Sequence, residues 1–114
     1  MKVLAFILLL LPPVSFGASV VRTLDAPDTS ICGLAWGEGM LWCLDDISSW
    51  VYGLNPETGD VEVSFEFSGY MDYTPAGLAY NDGTLYGSFI NGTESTRVYW
   101  YSTSGTLEGS YDLC

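Results

Sequence analysis

The chain contains no histidine, and only three basic residues stand against fourteen acidic ones in its 114 positions. Without histidine, neither a Ser-His-Asp nor a Cys-His nucleophilic centre can be assembled from this chain alone, nor a histidine-ligated zinc site. A formal net charge of −11 excludes nucleic acid and anionic membrane surfaces as partners, since both demand cations on the protein side. The acidity reads most simply as solubility outside the cell. A helical hydrophobic period of useful length is also missing, so no glycine-rich phosphate loop leads into a helix. Cysteine is scarce: Cys32, Cys43 and Cys114 form no Cys-x-x-Cys spacing. In an oxidising compartment they amount to one pair and one leftover thiol.

Long apolar runs are confined to the amino terminus. "MKVLAFILLLLPPVSFG" holds Lys2, an apolar stretch from Val3 to Leu11, the break Pro12-Pro13, and small residues at Ser15 and Gly17. That is the layout of a secretory signal peptide over residues 1–17, with Ser15 and Gly17 flanking the cleavage point. The apolar stretch is about half of the roughly 20 residues a spanning helix needs. The expectation is a secreted protein, extracellular or periplasmic, with no membrane insertion after cleavage. Beyond Gly17 the cations are Arg22 and Arg97 alone.

A phrase is written twice: "GLAWGEGMLW" at residues 33–42 returns as "GLAYNDGTLY" at residues 77–86. With Gly33 set over Gly77, Leu41-Trp42 matches Leu85-Tyr86, Val51-Tyr52 matches Val98-Tyr99, and Thr58-Gly59 matches Ser104-Gly105. Val61 and Phe65 then fall on Leu107 and Tyr111. Each copy reads as four short strands. Glu38-Gly39 and Asp82-Gly83 are the turn pairs of tight hairpins, the second of them a preferred type I′ sequence. The fourth strand alternates strictly: Val61, Val63, Phe65 and Phe67 interleave with Glu62, Ser64 and Glu66, predicting one covered and one wet face. The first two strands are apolar on both faces, as in a sheet held between two others.

The fold class is therefore all-β, built of four-stranded antiparallel propeller blades, because a repeat of roughly 40–45 residues with four strands is a blade signature. Residues 18–28 are expected to be an outer strand of a preceding blade, 29–68 blade 1 and 69–114 blade 2. The stretch "VVRTLDAPDTSICGLAWGEGMLWCLDDISSWVYGLNPETGDV" resembles the secreted bacterial β-propeller repeat proteins whose blades run Gly-Leu-Ala-Trp, Leu-Trp, then Val-Tyr-x-Leu and Thr-Gly. That family is related in architecture to NHL and gluconolactonase-like six-bladed propellers. The resemblance implies a blade and no single activity, since such propellers host lactonases, binding modules and structural domains alike. Two blades cannot close a ring of the usual 4–8. The expectation is either the front part of a longer product or several copies sharing one ring, with further blades or a second copy as partner. Leu34, Trp42, Leu78 and Leu85 are expected to contribute exposed apolar faces to an isolated pair.

Chemistry is sought at the rim where strand-connecting loops gather. Asp25, Asp28, Asp45, Asp46, Tyr70, Asp72, Tyr73, Asn91 and Glu94 fall there. Of these, Asp45, Asp46, Asn91 and Glu94 are the candidate oxygens for a calcium ion, against the plainer reading of solvated loop acids. Trp50, Tyr70, Asp72 and Tyr73 are the candidate ligand contacts. Trp36 and Trp42 recur as Tyr80 and Tyr86, which marks them as inter-blade packing. Cys32 and Cys43 are expected diagonally on one face of adjacent strands, a marginal geometry for a bridge. Asn91-Gly92-Thr93 reads as a turn. The functional expectation is a non-catalytic module for binding or display, with no catalytic residues and no cofactor. The alternatives are the front of a calcium-dependent lactonase-type hydrolase and an oligomeric ligand-binding ring.

Overall fold

The structure is a computed structural model that describes residues 19–67, 73–92 and 95–113. Eight strands follow one another: β1 (Ile31–Gly37), β2 (Met40–Asp45), β3 (Trp50–Leu54), β4 (Val61–Glu66), β5 (Thr74–Asn81), β6 (Thr84–Ile90), β7 (Thr96–Ser102) and β8 (Leu107–Asp112). They form two four-stranded antiparallel sheets in sequential order, β1-β2-β3-β4 and β5-β6-β7-β8. Each sheet is a blade.

The two hairpin turns close as their sequences require. Glu38 and Gly39 have φ of 56° and 71°, and Asp82 and Gly83 have 47° and 82°, the paired positive values of a type I′ turn. The repeat extends to irregularities that no strand pattern announces. Register shifts between Ile31 and Gly33 and between Pro75 and Gly77 place bulges at equivalent points of β1 and β5. A second equivalent pair lies at Gly53/Leu54 and Trp100/Tyr101, where β3 and β7 meet the outermost strands. Bulges twist and bend the strand that carries them, so both blades bend at the same places.

One face of each blade is buried against the other. Trp42, Leu44, Val51 and Phe67 of blade 1 meet Leu85, Phe89, Tyr99 and Tyr101 of blade 2. Phe67 stacks on Tyr101 at 4.2 Å and lies 5.6 Å from Phe89. Each fully buried large side chain contributes roughly 1.5–3 kcal/mol, so this layer dominates the stability of the pair. Trp42 is spared an unpaired donor because its indole N–H donates to the Gly37 carbonyl at 3.0 Å.

The repeated glycine has a steric reason. A methyl group on Gly33 would lie 2.9 Å from the Leu78 backbone nitrogen and 3.0 Å from its Cβ. The innermost strands, β1 and β5, thus approach too closely for any side chain at this point.

Several expectations need correction. Trp42 and Leu85 are fully buried between the blades and contribute nothing to an exposed face, whereas Leu34 is 60% exposed. Trp36 is also 60% exposed and makes no inter-blade contact of the kind its counterpart Tyr80 makes. The reason is directional: the register Trp36↔Leu41 turns Trp36 to the outer face of blade 1. Tyr111, opposite Val98, is exposed because no described element covers that side of blade 2, whereas the bulge pairs Leu107 with Tyr101 and so breaks the expected single face of β8. Cys32 and Cys43 do not share a face. The bulge at Cys32 turns its thiol toward blade 2, where it approaches the Pro75 carbonyl at 3.6 Å, while Cys43 lines the outer face of blade 1. Both are free thiols, and burial raises the pKa of each.

Candidate functional site

The β2–β3 loop, residues 46–49, is organised by the acid that precedes it. Asp45 is fully buried at the end of β2. One carboxylate oxygen accepts the backbone N–H groups of Ile47 and Ser48 at 2.9 and 2.8 Å, and the other accepts Ser30 N–H at 2.7 Å. Burial pushes this carboxyl up, but the three N–H donors outweigh it and hold its pKa below the ordinary 3.8. Asp45 thereby ties the loop to the segment that leads into β1. Ser49 turns the chain back with a φ of 62°.

A second acid lies beside it. Asp28 accepts the Tyr52 hydroxyl at 2.7 Å, the Ser48 hydroxyl at 2.8 Å and the Thr29 N–H at 2.8 Å. The Tyr52 bond, then those of Thr29 and Ser48, lower the Asp28 pKa. Burial and the Asp28 bond push Tyr52 in the opposite sense, from 10.0 to about 12. Tyr52 is therefore a donor at any physiological pH. Trp50 stacks beside it, with ring centroids 6.3 Å apart and planes 26° apart.

Among the described residues, no group of three acidic, histidine or cysteine side chains is arranged to hold a metal ion. Of the calcium candidates, Asp45 spends its oxygens on backbone donors, and Asp46 keeps one buried oxygen with no hydrogen-bond partner. Asn91 caps its own loop, its side-chain oxygen accepting Ser95 N–H at 3.3 Å. Glu94 lies outside the described residues, as do Tyr70, Asp72 and Cys114. Tyr73 is half-buried and partly packed on the core, with the Arg97 guanidinium 5.6 Å from its ring centroid. Arg97 is paired with Asp112, its cross-strand partner, and donates to the Tyr99 hydroxyl at 3.2 Å. These two contacts, Tyr99 first, raise its pKa.

The residues absent from the rim candidates are Ser48 and Tyr52, which connect Asp28 to the sheet. No local pattern marks them, because Val-Tyr is shared by both copies of the repeat. A groove of about 290 Å³ opens on the outer face of blade 1, between residues 22–27 and Ile31, Leu34, Leu41, Cys43 and Leu54. Residues 22–27 are held there at both ends. Arg22 donates to the Pro56 carbonyl at 2.7 Å and pairs with Glu57 at 3.1 Å, while Asp28 is held by Tyr52. This stretch, expected as an outer strand of a preceding blade, pairs with no strand over its described residues.

No protein-family model matches the chain, and no curated protein sequence matches it significantly. Solved structures do match in fold. The PQQ-bound form of the aldose sugar dehydrogenase from Streptomyces coelicolor, a β-propeller, superposes with a TM-score of 0.58 at 18% identity. The match covers 83% of this chain and 33% of that one, so the chain spans about a third of that structure's length. The likeness is one of fold: an all-β chain of two four-stranded antiparallel sheets with the architecture of propeller blades.

Proposed function

We propose that the chain is a secreted, non-catalytic β-propeller module that works in binding or display, of the Gly-Leu-Ala-Trp repeat kind it resembles, and that further blades or copies complete its ring. The observation that supports this best is the use made of Asp45. Among the described residues the most deeply buried rim acid accepts three backbone N–H groups, which makes it a loop organiser. Asp28 is spent in the same way on two hydroxyls and one N–H. The sugar dehydrogenase activity of the matched structure does not travel with a fold shared at 18% identity.

The second reading is the front portion of a calcium-dependent hydrolase. It is favoured by one observation, the buried Asp46 oxygen that lacks a partner. A calcium titration by calorimetry separates the two. The binding-module reading expects no uptake at sub-millimolar calcium. Sub-millimolar binding that disappears in both Asp46→Ala and Glu94→Ala would favour the hydrolase.

A further inference from the structure

The two outer faces of the blade pair correspond, position by position, to the two faces buried between the blades. Gly33, Trp42, Val51 and Phe65 on the buried side of blade 1 have Gly77, Tyr86, Val98 and Tyr111 as counterparts on the outer side of blade 2. Leu78, Leu85 and Tyr101 on the buried side of blade 2 have Leu34, Leu41 and Leu54 as counterparts on the outer side of blade 1. The interface inside the chain is thus a template for a head-to-tail contact between copies.

We propose that the outer face of blade 1 docks blade 2 of a second copy of this chain, Leu34 of one copy lying on Gly77 of the other, and that residues 20–27 compete for that face. The proposal rests on the blade reading. Gly77 carries its first argument. The methyl position of Gly33 is closed by the Leu78 backbone, whereas a methyl on Gly77 would meet only the Ser88 hydroxyl of its own sheet, at 3.0 Å. The glycine that allows close approach is present in blade 2, and no described strand lies against it. Leu34, 60% exposed, stands in β1 where Leu78 stands in β5.

The competition follows from a second equivalence. Within the pair, the Phe65 ring of blade 1 covers Gly105 of blade 2, with the methyl position of Gly105 only 2.8 Å from it. Gly59 is the counterpart of Gly105, and it is covered by Leu24, whose side chain lies 3.5 Å from the methyl position. In a docked copy the counterpart of Phe65 is Tyr111, which is 65% exposed. Leu24 therefore holds the place that Tyr111 of a second copy needs. Segment and copy cannot both sit over Gly59, so the apparent affinity between copies is reduced by the fraction of chains in which residues 20–27 lie down.

Sedimentation equilibrium on the chain at about 0.5 M salt, which screens repulsion between like-charged copies, tests this. Wild type is expected to associate weakly, and Leu24→Ala about tenfold more tightly, since it gives up part of a Leu side chain's burial. Gly77→Ala is expected to abolish association in either background. Leu34→Gln, at an exposed position, is expected to do the same if Gly77→Ala fails to fold. Far-ultraviolet circular dichroism accompanies each sample. A strand spectrum with wild type and Leu24→Ala both monomeric overturns the second copy as occupant, leaving the blades intact. Unchanged association in Gly77→Ala and Leu34→Gln overturns the register. A helical spectrum would overturn the blade reading itself.

Discussion

Gly33 sits so close to Leu78 that a methyl group on it would be 2.9 Å from the Leu78 nitrogen. The contact is made to backbone, which cannot rotate away, and it is where the innermost strands of the two blades meet. Gly33→Ala should therefore force the blades apart and destabilise the fold by roughly 1–3 kcal/mol, the usual cost of overpacking. Gly77→Ala, at the same point of the second copy, faces only a serine hydroxyl and should cost well under half as much. Urea midpoints of the two variants check the asymmetry.

Asp45 should behave as a structural acid. Asp45→Ala takes the acceptor from the Ser30, Ile47 and Ser48 N–H groups, which water reaches in part, for an expected loss of roughly 1–3 kcal/mol. Asp45→Asn keeps one acceptor oxygen and should lose less. Denaturant unfolding of both variants, with the strand spectrum as readout, measures the difference.

The same carboxylates set the acid limit of stability. Asp28 and Asp45 are both held below their ordinary 3.8, so the folded state binds protons less readily than the unfolded state. Their contribution is complete above the unfolded value and is lost as pH falls through the lower folded values. Tyr52 acts at the other extreme. Its folded pKa is raised from 10.0 to about 12, so its contribution is complete below the unfolded value and is lost as pH rises toward the folded one. Tyrosinate absorbance should show a late step that is missing in Tyr52→Phe, and a thermal melt series should fall at both ends.

Much of this arrangement was legible beforehand. The turns at Glu38-Gly39 and Asp82-Gly83 need residues that tolerate positive φ, and each copy of the repeat supplies the four strands its pattern announces. What stayed hidden depends on contacts between distant segments. The bulge at Cys32 has no local signature, and it turns Cys32 toward blade 2 while Cys43, opposite Leu34, faces away. Asp45 looked like any loop acid because its donors, Ser30, Ile47 and Ser48, identify themselves only once the chain has turned back. Trp36 and Trp42 are both framework aromatics by recurrence, yet the period of two sends them to opposite faces, and only one of those faces is covered.

The thiols offer an independent check. Since Cys32 and Cys43 lie on opposite faces of one sheet, oxidation of the folded chain should yield no bridge between them. Peptide mapping by mass spectrometry under non-reducing conditions reads this directly. A Cys32–Cys43 peptide from folded protein would mean that the bulge in β1 is absent.

β1 and β5 lie side by side as the innermost strands of two stacked blades. Nuclear Overhauser contacts between the Gly33 α-protons and the Leu78 amide proton test it most directly, because these groups meet only if the blades pack this way. A strong cross-peak is expected, accompanied by the cross-strand pairs Leu34↔Cys43 and Leu78↔Gly87. Cross-strand pairs within each sheet without the Gly33–Leu78 peak would contradict it, reducing the chain to two independent sheets.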